Sequence, residues 1–143
     1  MADESAPNND PPSQISMVEY LHLGNDPHLV ANVCDACRVT YFDRRNACAA
    51  CGAREFTASR LANTGSVRTF TIVHRAARGV PAPYVSAVVD LDGGGRVKSN
   101  IINVEPEPSK VTLGMRVRLA TYVTATDDDG VEAVAFGYEP EAA

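Results

Sequence analysis

No lysine or arginine occurs in the first 33 residues or in the last 25 of this 143-residue chain. Both stretches are acidic, with five carboxylates in the first and six in the second. The start therefore lacks the basic n-region of a signal peptide, and it lacks the apolar h-region as well. No window approaches the roughly 18–20 apolar residues of a membrane span. No 10–15-residue stripe of helical period occurs, so long amphipathic helices are not expected. The net charge of −5 is unlike that of a typical nucleic-acid binder. What remains is ordinary for a globular protein: 45% hydrophobic and 22% charged residues. The length suits one domain, or a domain with a small module. The expectation is a soluble, cytoplasmic protein with a disordered tail over residues 1–16, rich in Pro, Asn and acids, and a short one over 141–143.

All 13 basic residues lie between Arg38 and Arg118. Residues 34–118 hold these 13 bases against seven acids, a local balance of +6 between acidic ends. Eleven of the 13 are arginine, whose rigid fork of donors matches phosphate and carboxylate groups better than lysine does.

The four cysteines are the strongest motif. They read Cys34-Asp-Ala-Cys37, then ten residues, then Cys48-Ala-Ala-Cys51-Gly52. Two CxxC knuckles this close supply the four thiolates of a tetrahedral zinc site, with small residues suited to the tight turns. Two disulfides are disfavoured in a chain without a secretion signal, and iron in a rubredoxin-like site is the minor alternative. Four cysteine ligands fill the shell and leave no place for water or substrate, so the zinc is read as structural rather than catalytic. It would supply folding energy to the small ribbon over residues 17–60, because the 18 residues from Cys34 to Cys51 cannot bury much core.

Past the ribbon the pattern has period two. Residues 67–73 are rich in β-branched and aromatic types. Val85, Ala87, Val89 and Leu91 alternate with the intervening positions, and after the turn at Asp92-Gly93-Gly94-Gly95 a partner strand runs from Arg96 to Ile102. Met115, Val117, Leu119, Thr121 and Val123 predict a half-buried strand with Arg116 and Arg118 on its outer face. After Asp127-Asp-Asp-Gly130, a last strand places Val134, Phe136 and Tyr138 on one face. The fold class is mainly β. Five strands over residues 61–140 suggest a small closed barrel of the OB type, with an open sheet or sandwich as the alternative. The segment over residues 17–33 adds a short strand or a helical turn. Between strands one and two lies a loop containing His74, Arg75, Arg78, Gly79, Pro81 and Pro83. It reads either as a binding loop or as a solvated connector. His22 and His28 read as ordinary surface residues.

In this order the motifs resemble a known family, the thiolase-associated proteins built from a rubredoxin-like zinc ribbon followed by an OB-fold. The resemblance runs over residues 28–140. It is carried by both CxxC knuckles, Tyr41-Phe42, Thr64-Gly65-Ser66-Val67, Phe70-Thr71-Ile72-Val73, residues 83–91, Leu113-Gly114-Met115-Arg116-Val117 and Ala135-Phe136-Gly137-Tyr138-Glu139-Pro140. Arg38 stands where the family often has glycine, Asp43 where it usually has proline, and the long N-terminal helix of some members is missing. The resemblance implies a non-catalytic accessory subunit. Its partner would be a thiolase-fold enzyme acting on acyl-CoA thioesters, a thiolase or a retro-aldolase, joined as a heterotetramer.

On that reading zinc is the structural metal, held by Cys34, Cys37, Cys48 and Cys51, and the CoA thioester is a ligand shared with the partner. Arg75 and Arg78, with His74, Gly79 and Pro81 around them, are the first candidates to meet CoA or the partner; Arg116 and Arg118 are the second. For the latter pair a solvated face is the plainer reading. No catalytic residue is assigned, because the cysteines are engaged and no Ser-His-Asp arrangement is visible. The alternative is a single-stranded nucleic-acid-binding module, since OB-folds and zinc ribbons both serve that purpose; the acidic ends oppose it. A stand-alone zinc hydrolase is disfavoured by the filled four-cysteine set.

Overall fold

A computed structural model describes residues 13–141. The described residues form ten strands in chain order: β1 (Gln14–Ser16), β2 (Leu21–His22), β3 (His28–Cys34), β4 (Thr40–Tyr41), β5 (Phe56–Arg60), β6 (Thr64–Val73), β7 (Tyr84–Leu91), β8 (Arg96–Ile101), β9 (Arg116–Thr126) and β10 (Glu132–Pro140). No helix occurs among them. None is therefore long and apolar enough to cross a membrane. The proposed tail over residues 1–16 falls mostly outside the described residues, as do 142 and 143. Its last three residues are strand, however: β1 pairs in parallel with the start of β10, from Gln14 opposite Glu132 to Ser16 opposite Val134.

The chain alternates because the barrel has one dry face. In β7, Val85, Ala87, Val89 and Leu91 are buried while their neighbours are half-exposed. Burying each large aliphatic side chain is worth about 1.5–3 kcal/mol, which fixes the register, since a one-residue slip would turn the whole set outward. β6 pairs with β7, β7 with β8, and β9 with both β6 and β10. The ring closes where β10 meets β8 in parallel at Tyr138 and Ile101. The order β6-β7-β8-β10-β9 around a closed barrel is that of an OB-fold. The sequence places Thr121 and Val123 on the buried face of β9, but both are exposed. Only Val117 and, partly, Leu119 face the core, because β9 runs on past the end of the barrel.

β3 is the axis of the ribbon. It pairs with β2, β4 and β5. The expected short strand before the knuckles is thus β2 and β3. Leu21, Leu29 and Ala31 from this region join Leu61, Val67, Val89, Val97, Ile101, Val117 and Tyr138 in one buried cluster. Ribbon and barrel share a single core. Val111, 1% exposed, plugs the same core from the long connection between β8 and β9. No periodicity in that connection announces it.

Candidate functional site

The two knuckles have the same backbone geometry. In the first, the Arg38 N–H donates to Cys34 O at 2.9 Å; in the second, the Gly52 N–H donates to Cys48 O at 2.8 Å. Both Arg38 and Gly52 adopt the left-handed conformation, with φ of 70° and 77°. Each turn presents its two sulfurs to the same point. The four Sγ atoms lie within 4.8 Å of one another. Cys34 and Cys51 are 3.6 Å apart, and Cys37 and Cys48 are 3.5 Å apart. A tetrahedral zinc with bonds of about 2.3 Å needs sulfurs about 3.8 Å apart, so the donors fit the ion in type, number and spacing. Bound zinc would tie β3, the first knuckle and the second knuckle into one unit, and no ligand position would remain for chemistry.

Tyr41, the last residue of β4, supports the cluster. Its Oη lies 3.4 Å from Cys48 Sγ and accepts the Ala49 N–H at 3.0 Å. Arg45 stacks on its ring, 4.4 Å from the centroid. The Tyr41 hydroxyl, aided by the N–H groups of Cys51 and Ala50, lowers the Cys48 thiol to about 6. At Cys37 the Val39 N–H favours the thiolate, but burial and the facing Cys48 sulfur outweigh it and push that thiol up to about 12. Without a cation the four sulfurs cannot all ionise together, whereas a divalent metal removes that conflict.

The other expected binding residues fall into two separate groups. His74, Arg75, Arg78, Gly79 and Pro81 are exposed on the loop between β6 and β7, which turns through the Val80 N–H to Ala77 O bond of 3.0 Å. Neither Arg75 nor Arg78 is within ion-pair distance of a carboxylate among the described residues. Arg116 and Arg118 sit at the opposite end of β6, opposite Ser66 and Thr64. The stretch of β6 from Ser66 to Val73 spans roughly 23 Å at strand rise, so the structure does not bring the two groups together. Arg116 grips Asp92 with both nitrogens at 2.9 and 2.5 Å and reaches Glu141 at 3.4 Å. Arg118 holds Glu139 at 2.9 Å. These two arginines fasten the β7–β8 turn and the end of β10 to β9.

Sequence reasoning missed Tyr41 as a partner of Cys48, although its place between the knuckles is visible in the sequence. It also missed that His22 and His28 are cross-strand neighbours, with ring centroids 5.4 Å apart.

Residues 22–57 match the family model described as "ChsH2, rubredoxin-like zinc ribbon domain", and residues 58–122 match "ChsH2, C-terminal OB-fold domain". A DUF35 domain-containing scaffold protein of Methanocaldococcus jannaschii is 33% identical over 125 residues, covering 85% of this chain and 87% of the relative. Another of the same description, from Pyrococcus furiosus, is 30% identical over 90% of this chain and 92% of its own length. A probable enoyl-CoA hydratase alpha subunit of Thermomonospora curvata is 30% identical over 70% of this chain, but the match spans only 31% of that protein. Among solved structures, a chain of the "Ltp2-ChsH2(DUF35) aldolase" superposes with a TM-score of 0.59 at 27% identity, over 79% of this chain and 84% of that one. With a four-cysteine ribbon, a closed five-stranded barrel and near full-length similarity to the two scaffold proteins, the chain belongs to the DUF35 domain-containing scaffold family.

Proposed function

We propose that this protein is a non-catalytic accessory subunit of a thiolase-fold enzyme acting on acyl-CoA thioesters, where it steadies the complex and completes the wall of the substrate and CoA channel. The observation that carries this reading is the gathering of all four cysteines into one cluster, with every Sγ within 4.8 Å of the others and so placed to hold a metal. It leaves the chain without a free thiol nucleophile, in a family of scaffold proteins with a relative that forms part of an aldolase. A protein with no chemistry of its own and a firm fold is suited to positioning another chain's substrate. Zinc holds the ribbon; condensation, thiolysis or retro-aldol cleavage belongs to the partner.

Within this role the loop over residues 74–83 is the part of the chain suited to CoA. Arg75 and Arg78 keep their guanidinium donors for phosphate, whereas Arg116 and Arg118 spend theirs on Asp92 and Glu139. Co-expression with the thiolase-fold partner, size exclusion and an acyl-CoA cleavage assay test the reading. A stable complex with raised activity is expected; neither complex nor change in activity would overturn it. In the complex, Arg75→Ala with Arg78→Ala is expected to raise the KM for the CoA substrate several-fold with the assembly intact. An unchanged KM would make the loop a solvated connector.

A further inference from the structure

β9 outruns the barrel, and one of its edges is left open. It pairs with β6 only from Arg116 to Arg118, and the Leu119 N–H then donates to Asn63 O at 2.7 Å. β6 begins at Thr64 and runs antiparallel to β9, so it has no residue to set beside β9 beyond this point. From residue 120 onward, among the described residues, β9 has a partner on the β10 side alone. In an antiparallel strand the backbone groups of alternate residues face alternate edges. Leu119 faces the β6 side, so the N–H and C=O of Thr121 and Val123 face the open edge, and those of Ala120 and Tyr122 face β10.

The composition of this edge is unusual. Residues 120–126 read Ala-Thr-Tyr-Val-Thr-Ala-Thr, with no charge, proline or glycine. Residues 121–126 are exposed on both faces. Exposed sheet edges are commonly blunted by lysine, proline or a bulge. Here the one irregularity is on β9 itself, where Thr124 is an extra residue between Val123, opposite Val134, and Ala125, opposite Ala133; residues 120–123 before it keep a regular register. Ile15 and Met17, about half exposed, extend the apolar surface, and Met17 Sδ lies 3.1 Å from Thr124 Oγ1. At the tip, Asp127 Oδ1 accepts the N–H groups of Asp129 and Val131. The carboxylates of Asp128 and Asp129 have no cation within ion-pair distance among the described residues.

We propose that the open edge of β9 is a docking site that an extended segment of the catalytic partner completes by strand addition, with basic side chains of that segment meeting the Asp127–Asp129 tip. Backbone hydrogen bonds to Thr121 and Val123 would supply affinity, and the acidic tip would set direction and register. A second copy of this chain fits less well, because the basic side chains that antiparallel addition would bring towards the tip, Arg116 and Arg118, are already held by Asp92 and Glu139. The proposal rests on the accessory-subunit reading above and adds the surface by which it acts.

Thr121→Pro removes an N–H that faces outward and leaves the β10 ladder in place. With the purified thiolase-fold partner, the wild type is expected to form a complex. The proline variant is expected to bind at least roughly tenfold more weakly, about 1.4 kcal/mol, with its metal content and melting transition retained. Asp128→Lys with Asp129→Lys, which does not disturb the strand, is expected to weaken the same complex and flatten its salt dependence. If the complex forms and both variants bind as the wild type does, the edge proposal fails and the accessory role stands. If the wild type forms no complex, the accessory role fails and the proposal with it. Concentration-dependent dimers of the wild type alone, abolished by Thr121→Pro, would assign the edge to self-pairing and overturn the choice of partner.

Discussion

Arg38 and Gly52 fill equivalent places in the two knuckles, and only glycine is at ease there. An L-residue with a side chain adopts the left-handed conformation at a cost of about 1–2 kcal/mol, partly offset because glycine loses more freedom on folding. Arg38→Gly is therefore expected to stabilise the protein by about 0.5–1 kcal/mol, read as a higher denaturant midpoint at unchanged metal content. Tyr138 is the converse case. Its ring is fully buried, yet its hydroxyl has no hydrogen-bond partner among the described residues, and burial pushes the phenol up. Removing an unsatisfied buried hydroxyl without changing the shape of the ring is close to neutral or favourable. Tyr138→Phe is expected to unfold at the same or a higher denaturant concentration, by up to about 1 kcal/mol. A clear loss of stability would show that the hydroxyl is satisfied in solution.

At the scale of elements, the barrel closes at the start of β6, where Gly65 stands between Leu91 and Val117. A Cβ placed there would lie 2.4 Å from Asp90 O, a backbone atom that cannot step aside. Gly65→Ala is expected to cost roughly 1–3 kcal/mol or more, measured by equilibrium unfolding. The same end is fastened by Asp92, whose carboxyl Arg116 and the Thr64 hydroxyl hold well below the usual range. A folded pKa below the unfolded value near 3.9 adds stability that is present above about pH 4 and lost as pH falls through the folded value. Between pH 6 and 2 the wild type should lose stability more steeply than Asp92→Asn, whose side chain does not titrate. Much of this architecture could be read from residues. β7 and β8 were legible because a sheet with one dry face imposes strict alternation, and the knuckles because metal geometry imposes strict spacing. β1 was not, since three residues held by an edge ladder carry no period. Thr121 and Val123 were misplaced because alternation marks a pleat, not how far the core extends along it. The pairing of Arg116 with Asp92 stayed hidden, since nothing in the sequence links two charges 24 residues apart.

For the whole molecule, the charge pattern takes on a different meaning. Six of the eleven arginines are in ion pairs with carboxylates among the described residues, so nearly half of the 13 basic groups neutralise acids within the fold. That leaves less for a polyanion groove; the two guanidiniums of the β6–β7 loop are, with those of Arg38, Arg44 and Arg54, the five without an ion pair among the described residues. Removing metal should also be felt throughout, because Leu21, Leu29 and Leu61 carry the ribbon into the barrel's core. One equivalent of zinc is expected in protein prepared without chelator. Chelation should lower the melting temperature within a single calorimetric transition, and two separate transitions would show the units to be independent. The β8–β10 junction differs from the other joints of the ring. Only Tyr138 and Ile101 are in register there, with the Ile102 N–H donating to Tyr138 O at 2.8 Å, while the other joints are ladders of three to nine pairs. The barrel is thus a rolled sheet buttoned at one point. When the molecule breathes it should part along that seam first, so amides near Ile102 should exchange early and a subunit clamped across the seam would slow them.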